Sequence, residues 1–222
     1  MLYSAGIDSF ASWRLLGIMG IFFKCQGTQS RELDYVKKLN IDFGNPVRVI
    51  GKDKLYGERL DGYVPYRNLL FLLWLNAMYP TTNIVINQVL EWQTDKNKNF
   101  YRQVERLFKK LNNSNAKIYA PFADLTKSQL VKLCLDNGVD KSEFEKYSYS
   151  CLAGGEIHCG KCSSCYNRYI AFRNAKMGEE AMASKPTYEG WLELKKKQAN
   201  YSLPILLIAF KRWREAREAF KK

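Results

Sequence analysis

No stretch of the 222-residue chain approaches the ~20 consecutive apolar residues that a membrane-spanning helix requires. The longest apolar run, LPILLIAF beginning at Leu203, is far too short, so the sequence predicts no membrane partner. Internal repeats and low-complexity tracts are also missing. The chain begins MLYSAG, without the apolar segment of a signal peptide, and we therefore expect a reducing, cytoplasmic setting.

Acidic residues are scarce beside basic ones: 22 Asp and Glu against 35 Lys and Arg, a net charge of +13. Such a surplus indicates a polyanionic partner, which could be a nucleotide, nucleic acid or an acidic protein. Residues 190–222 alone carry nine basic and three acidic residues. There, Leu206, Phe210 and Trp213 recur at helical spacing, which favours an amphipathic helix docked on the body or on a second copy. A solvated helix face, or contact with nucleic acid or protein, is the alternative.

The first 147 residues alternate short β-like runs with helical patterns, which predicts a doubly wound, mainly parallel α/β sheet. The expected strands are MLY, FFKC, PVRVI, NIVINQV and KIYAP. VPYRNLLFLLWLNAMY is predicted to be a buried helix opening at Pro65, and KSQLVKLCLDNG a helix capped by Thr126. Ligands of such sheets bind at the carboxyl ends of the strands.

Four cysteines in SCLAGGEIHCGKCSSC form the most specific motif of the chain: Cys151, Cys159, Cys162 and Cys165. The last three make two C-x-x-C steps that share Cys162, a spacing typical of tetrahedral zinc. Four thiolates leave no open position for water, so a structural role is predicted. His158 could replace one thiolate, but the four cysteines already complete the shell. A thiol-exchange pair or coincidental buried thiols are the alternatives.

The segment SAGIDS, residues 4–9, lies between the first strand and the first helix and has the composition of an anion-binding loop. Small residues let the backbone approach phosphate, and the amides of a helix N-terminus hold its oxygens. Asp8 would bind Mg²⁺ or orient the loop. Ala5 fits this loop only if its φ angle is negative. The segment matches neither G-x-x-x-x-G-K-[ST] nor G-x-G-x-x-G, and an ordinary capped turn is the simpler alternative.

SAGIDS resembles the S-G-G-x-D-S signature of the PP-loop ATP pyrophosphatases. The cysteine segment through YNRYIAF is similar to the end of the 7-cyano-7-deazaguanine synthases within that group. QGTQSRELDYVKKL, VPYRNLLFL and APFADLTKSQLVKL resemble further segments of the same family, in the same order. The resemblance covers about residues 1–190, and its cysteine segment is far more specific than its phosphate loop.

This resemblance implies an ATP-dependent carbon–nitrogen ligase that converts 7-carboxy-7-deazaguanine and ammonia to the nitrile through carboxylate adenylation. ATP would be a substrate, Mg²⁺ a cofactor and Zn²⁺ structural. The implied catalytic residues are Asp8, Ser9 and Arg67. The implied nucleotide contacts are Tyr3, Ser4, Ala5, Gly6, Ile7, Asp8, Ser9, Phe10, Asn68 and Lys127. For Arg67 and Lys127, a solvated position at a helix start is the alternative interpretation.

The predicted organisation is a PP-loop nucleotide-binding domain over 1–147, a zinc element with its helix over 148–189, and a basic helical tail over 190–222. The chain departs from the family pattern at Ala5 and Tyr66, where the family has glycine. LEWQTDKNKNFYRQ also replaces the family's G-Y-P-D-C-R segment on the substrate side. Two alternatives therefore stay open: an enzyme that adenylates a nucleic-acid base or a protein, and a catalytically inactive, zinc-bearing nucleic-acid binding module.

Overall fold

The computed structural model describes residues 1–24, 30–51, 66–90, 97–178, 180–197 and 203–221, with the backbone alone at 30, 197 and 203–210. The strands of the described part are β1 (Leu2–Tyr3), β2 (Gly20–Phe23), β3 (Val47–Ile50), β4 (Ile84–Val85) and β5 (Ile118–Tyr119). Its helices are α1 (Ile7–Leu16), α2 (Ser30–Phe43), α3 (Arg67–Met78), α4 (Lys98–Asn112), α5 (Lys127–Asp136), α6 (Lys141–Tyr147), α7 (Ser163–Asn174), α8 (Tyr188–Lys197) and α9 (Leu203–Ala219).

All strand pairs of the described part are parallel, as the alternation of strands and helices predicts. β2 pairs with β1 on one side and with β3 on the other, and β4 pairs with β5. Asn87, just beyond β4, donates a hydrogen bond from its side-chain amide to the carbonyl of Leu2 in β1. This contact brings the end of β4 next to β1, so the three-stranded ladder (β1-β2-β3) and the two-stranded ladder (β4-β5) lie side by side.

Successive side chains of a strand point to opposite faces of its sheet, so apolar strands such as β2 need cover on both faces. Helices supply this cover on each side. In β2, Phe22 packs into one hydrophobic cluster, while Ile21 and Phe23 pack into another. The helices of the first cluster are α1, α2, α5, α6 and α7, with Phe10, Leu130, Phe144 and Phe172 fully buried. The second is built from α3 and α4, with Leu72, Val104 and Phe108 buried. The predicted doubly wound α/β architecture is confirmed.

The start of α5 is fixed by a reciprocal cap. The Thr126 hydroxyl accepts a hydrogen bond from the Gln129 amide at 3.3 Å, and the Gln129 side chain accepts from the Thr126 amide at 2.8 Å. This confirms Thr126 as the predicted cap. Such a capping box satisfies two amides that the helix itself cannot. Its consequence here is positional, since it makes Lys127 the first residue of the helix.

The expectation that α3 is a buried helix is wrong. Leu72, Leu75 and Asn76 are buried, whereas Leu70 and Trp74 are 44% and 42% exposed. A single stripe of the helix thus faces the sheet. The helix begins at Arg67, and the predicted start at Pro65 lies outside the described residues.

The C-terminal part of the tail helix docks on the body of the protein, as one interpretation of the tail predicts. Ala216 and Ala219 of α9 are buried in a small cluster with Trp191 of α8 and with Tyr166 and Ile170 of α7. The side chains at the predicted positions 206 and 210 lie outside the described residues. None of the described helices combines the length and the apolar character that crossing a membrane would require.

Candidate active site

The segment from Ser4 to Ser9 forms a tight loop between β1 and α1. The hydroxyl groups of Ser4 and Ser9 lie 2.8 Å apart, and the Ser4 amide donates to the Ser9 hydroxyl at 3.0 Å. Gly6 precedes α1 with extended backbone, and no side chain caps this helix end. Helix N-terminal amides without a side-chain cap are suited to bind an anion.

Ala5 contradicts the expected backbone conformation. Its φ angle is +56°, in the left-handed region, where we expected a negative value. An alanine there costs about 1–2 kcal/mol relative to the right-handed region. The surroundings hold the loop in place: the Ala5 side chain is fully buried, and its carbonyl accepts a hydrogen bond from the Tyr149 amide at 2.8 Å.

Asp8, in the first turn of α1, forms an ion pair with Lys127 at the start of α5. The Lys127 ammonium lies 2.7 and 2.6 Å from the two carboxylate oxygens, and both side chains are largely shielded from solvent. Sequence reasoning found both residues but not their contact, which joins positions 119 residues apart. The positive charge of Lys127 offsets the negative charge of Asp8, which would otherwise oppose phosphate binding at this helix end.

A cavity of about 590 Å³ opens at the carboxyl ends of β1, β2 and β4. This volume is ordinary for a small-molecule site. The predicted site residues that line it are Tyr3, Ser4, Gly6, Ile7, Asp8, Ser9, Arg67, Asn68 and Lys127. Ala5 and Phe10 do not line it, because both side chains are fully buried in the adjacent hydrophobic cluster.

Asn87 and Glu32 are among the polar residues of the cavity that sequence reasoning missed. Asn87 donates from its amide nitrogen to the Ser9 hydroxyl at 3.1 Å, and its amide oxygen is buried without a partner among the described residues. Its position after β4 was a usable signal, because ligands gather at strand ends. Glu32, in the first turn of α2, also lines the cavity. Burial raises the pKa of Glu32 to about 7, against the opposing effect of the Arg67 charge.

The four predicted metal-binding cysteines come together beside this cavity. Their sulfur atoms all lie within 4.8 Å of one another, with 3.4 Å between Cys162 and Cys165 and 3.8 Å between Cys159 and Cys165. A tetrahedral zinc ion with Zn–S bonds of ~2.3 Å would place its ligands about 3.8 Å apart. The four thiol side chains therefore fit a structural zinc ion.

Backbone geometry prepares the cysteine cluster. The amide groups of Cys159, Lys161 and Cys165 donate to cysteine sulfur atoms at 3.3–3.4 Å, as they would to thiolates. Gly160 has a φ angle of +74°, and a Cβ there would lie 1.6 Å from the Ser184 carbonyl oxygen, so only glycine fits. This turn lets the two C-x-x-C steps converge on one point.

His158 is not part of the metal cluster. Its Nε2 accepts a hydrogen bond from the Ser150 amide at 3.2 Å. Burial, helped by the positive charge of Arg168, lowers the pKa of His158 to about 4. The neutral ring therefore supports the backbone just before Cys151, in agreement with the preferred interpretation from sequence.

Arg168 holds the cysteine element against the rest of the protein. Its guanidinium is fully buried and donates to the Glu180 carboxylate at 2.8 Å, to the Ser148 hydroxyl at 2.8 Å and to the Phe144 carbonyl at 3.3 Å. Breaking such a buried pair by removing one partner typically costs 3–5 kcal/mol. Residues 149–152, which lead into the cysteine element, also line the cavity, so this element contributes one of its walls.

A parallel α/β sheet, a phosphate-type loop after its first strand and a four-cysteine element beside the same cavity define a PP-loop nucleotide-binding protein. Residues 44–176 match the family model described as queuosine biosynthesis protein QueC. The chain belongs to this family. The match includes all four cysteines and Lys127 but begins after the phosphate loop.

Curated relatives named 7-cyano-7-deazaguanine synthase share shorter stretches with the chain. The protein of Methanosarcina mazei is 36% identical over 80 residues, which are 36% of this chain and 33% of the relative. "7-Cyano-7-deazaguanine synthase 1" of Sulfurisphaera tokodaii is 44% identical over 61 residues, 28% of each chain. The protein of Methanobrevibacter smithii is 31% identical over 120 residues, 51% of each chain. The chain thus spans about a third or less of the first two relatives.

Proposed function

We propose that the protein is an ATP-dependent 7-cyano-7-deazaguanine synthase, which converts 7-carboxy-7-deazaguanine and ammonia to the nitrile. The observation that carries this proposal is a single cavity bordered by the Ser4–Ser9 loop and by the cysteine element. The names of the curated relatives support the same activity. The thiolate ligands require a reducing compartment, and we therefore place the enzyme in the cytoplasm.

The loop binds the β- and γ-phosphates of ATP in this proposal. The amides at the start of α1 and the hydroxyls of Ser4 and Ser9 donate to the phosphate oxygens. The Asp8–Lys127 ion pair then exchanges partners: the ammonium turns to the phosphates, and the carboxylate becomes available to Mg²⁺. Oxygen ligands from one or two carboxylates and the substrate phosphates are what Mg²⁺ prefers.

The chemistry has two activation steps. A carboxylate oxygen of the substrate attacks the α-phosphorus, pyrophosphate leaves, and the carboxyl group carries AMP in place of oxide as its leaving group. Ammonia attacks the activated carbon and expels AMP, which gives the amide. The amide oxygen then attacks the α-phosphorus of a second ATP, pyrophosphate leaves, and loss of AMP and of both amide protons gives the nitrile. Arg67, which lines the cavity, orients the carboxylate, and the loop amides stabilise the charge that develops on pyrophosphate.

Zinc, when bound to the four cysteines, supplies folding free energy rather than chemistry, because no coordination position stays open. The bound ion would fix the backbone of the cysteine element where that element forms a wall of the cavity. Tyr149 and Ser150 line the cavity, and Cys151 is both a wall residue and a ligand.

The test combines purified protein with ATP, Mg²⁺, an ammonium salt and 7-carboxy-7-deazaguanine, and follows AMP and the deazaguanine mass by mass spectrometry. The wild type should form nitrile together with AMP. Asp8→Asn should lose AMP formation by at least about 100-fold, since one removed electrostatic contact is worth about 3 kcal/mol at such sites. Asp136→Asn is the matched control, because Asp136 forms an exposed ion pair with Lys132 at 3.0 Å on the outside of α5. Undiminished turnover by Asp8→Asn would remove Asp8 from the site.

A related enzyme with a nucleic acid or protein as acceptor is the second candidate, and one contact favours it. Arg212, in the basic tail helix, donates to the side-chain carbonyl of Asn167 at 2.7 Å, and Asn167 lines the cavity. The tail thus places the positive charge of Arg212 at the wall of the cavity. AMP formation that leaves the deazaguanine unchanged, with salt-sensitive retention on heparin, would support this candidate. Retention without any AMP formation would point to the binding module.

A further inference from the structure

Glu32 is a carboxylate placed inside the cavity without a complete set of partners. Its Oε2 atom is buried, and none of the described residues donates a hydrogen bond to it. A buried acceptor left unpaired costs about 1–3 kcal/mol, so such atoms are rare in folded proteins. Because Glu32 also lines the cavity, the missing donor can come from a ligand.

The surroundings of Glu32 limit which ligand that is. A carboxylate repels phosphate unless a cation offsets its charge, as Lys127 does for Asp8, so we do not assign Glu32 to the phosphate-binding side of the site. The first turn of α2 is joined to the cysteine element: Arg31 lies 3.2 Å from Glu156, and the rings of Tyr35 and Tyr149 pack with their centroids 5.3 Å apart. Glu32 therefore belongs to the wall that α2 and the cysteine element share.

The charge balance points to a ligand that brings hydrogen-bond donors. Burial, rather than a neighbouring acid, is the main cause that raises the pKa of Glu32 to about 7, and Arg67 opposes it. A ligand that donates two hydrogen bonds would replace the lost hydration of the ionised carboxylate. Two adjacent N–H groups match the two oxygens of a carboxylate.

We propose that Glu32 is the specificity residue for the acceptor: its carboxylate accepts hydrogen bonds from the ring N–H and the exocyclic amine of a guanine-type base. This assignment rests on the function proposed above. Deazaguanine carries these two donors side by side on its six-membered ring, at the end opposite the carboxyl group. The reacting carboxyl is thereby aimed toward the phosphates. Adenine presents no such pair of donors, so ATP does not compete for this contact.

The test is steady-state kinetics of Glu32→Gln, with Asp34→Asn on the same helix as the control variant. Asp34 is 47% exposed and pairs with Lys37 at its surface. Glu32→Gln should raise the KM for 7-carboxy-7-deazaguanine roughly 100-fold, because hydrogen bonds to a charged group contribute about 1.5–3 kcal/mol. The KM for ATP and kcat should change less than about threefold. A circular-dichroism spectrum and a urea midpoint verify that each variant is folded.

A substrate analogue that lacks the exocyclic amine completes the test. Wild type should discriminate against the analogue, and Glu32→Gln should discriminate much less, because the missing donor no longer leaves an acceptor unpaired. If Glu32→Gln leaves the KM for 7-carboxy-7-deazaguanine unchanged, or lowers only kcat, the assignment of Glu32 is wrong. Nitrile formation by the wild type in the same assay still supports the proposed function. A folded wild type that forms no nitrile overturns the proposed function and this assignment with it.

Discussion

Replacing Glu32 by glutamine should stabilise the unliganded protein, and the gain should grow as the pH rises. The pKa of Glu32 is about 7 in the folded chain, above the ordinary 4.5. Well below pH 4.5 the carboxyl is protonated in both states, so its ionisation costs the folded state nothing. Between these pH values the unfolded chain is ionised first, so stability falls with rising pH. Above pH 7 the ionised group costs the folded state roughly 3 kcal/mol.

The assay is urea unfolding of zinc-loaded wild type and Glu32→Gln at pH 5.5 and 8.5, followed by tryptophan fluorescence. The stability difference between the two proteins should increase by about 2 kcal/mol from the lower to the higher pH. The glutamine amide adds a constant offset from its own hydrogen bonding, so the change with pH is the quantity to compare. Equal m-values show that both proteins expose the same surface on unfolding.

Asp34→Asn controls for the loss of one negative charge on the same helix. Since Asp34 is half exposed, its replacement should show little dependence on pH. A stability difference for Glu32→Gln that stays flat, or that shrinks at high pH, would refute the argument. It would mean that water or a cation already compensates the carboxylate in the unliganded protein.

Two further predictions concern the metal and the phosphate loop. Elemental analysis should find about one zinc per chain, and Cys162→Ser should lower the urea midpoint markedly, because structural zinc contributes directly to folding; native protein without metal would contradict this. Ala5→Gly should change stability by less than about 1 kcal/mol, since relief of the left-handed conformation is offset by a lost buried methyl group and by the greater chain entropy of glycine. A loss above about 2 kcal/mol by urea unfolding would argue against the positive φ angle.

The features that follow from local sequence were predictable. The spacing of the cysteines indicates a metal cluster, and Thr126 with Gln129 indicates a helix start. The parallel sheet follows from the alternation of strands and helices. These signals depend on residues a few positions apart, whose geometry the backbone largely fixes.

The parts that sequence did not reveal depend on distant contacts. No residue close to Ala5 in sequence requires its left-handed conformation. The contact that holds it comes from far along the chain, where the Tyr149 amide donates a hydrogen bond to the Ala5 carbonyl. Glu32 reads as an ordinary charge at a helix start until the fold places it in a cavity. Asn87 acquires its role only when β4 comes to lie beside β1. The catalytic and nucleotide-binding roles assigned by resemblance stay predictions.

The hydrogen bond between the Tyr149 amide and the Ala5 carbonyl gives the cysteine element a second importance. Tyr149 stands two residues before Cys151, so an ion held by the four cysteines would also brace Ala5, the residue of the loop with a left-handed backbone. Loss of a metal from the cysteines would thus be felt in the loop between β1 and α1, although the cysteines are not part of that loop.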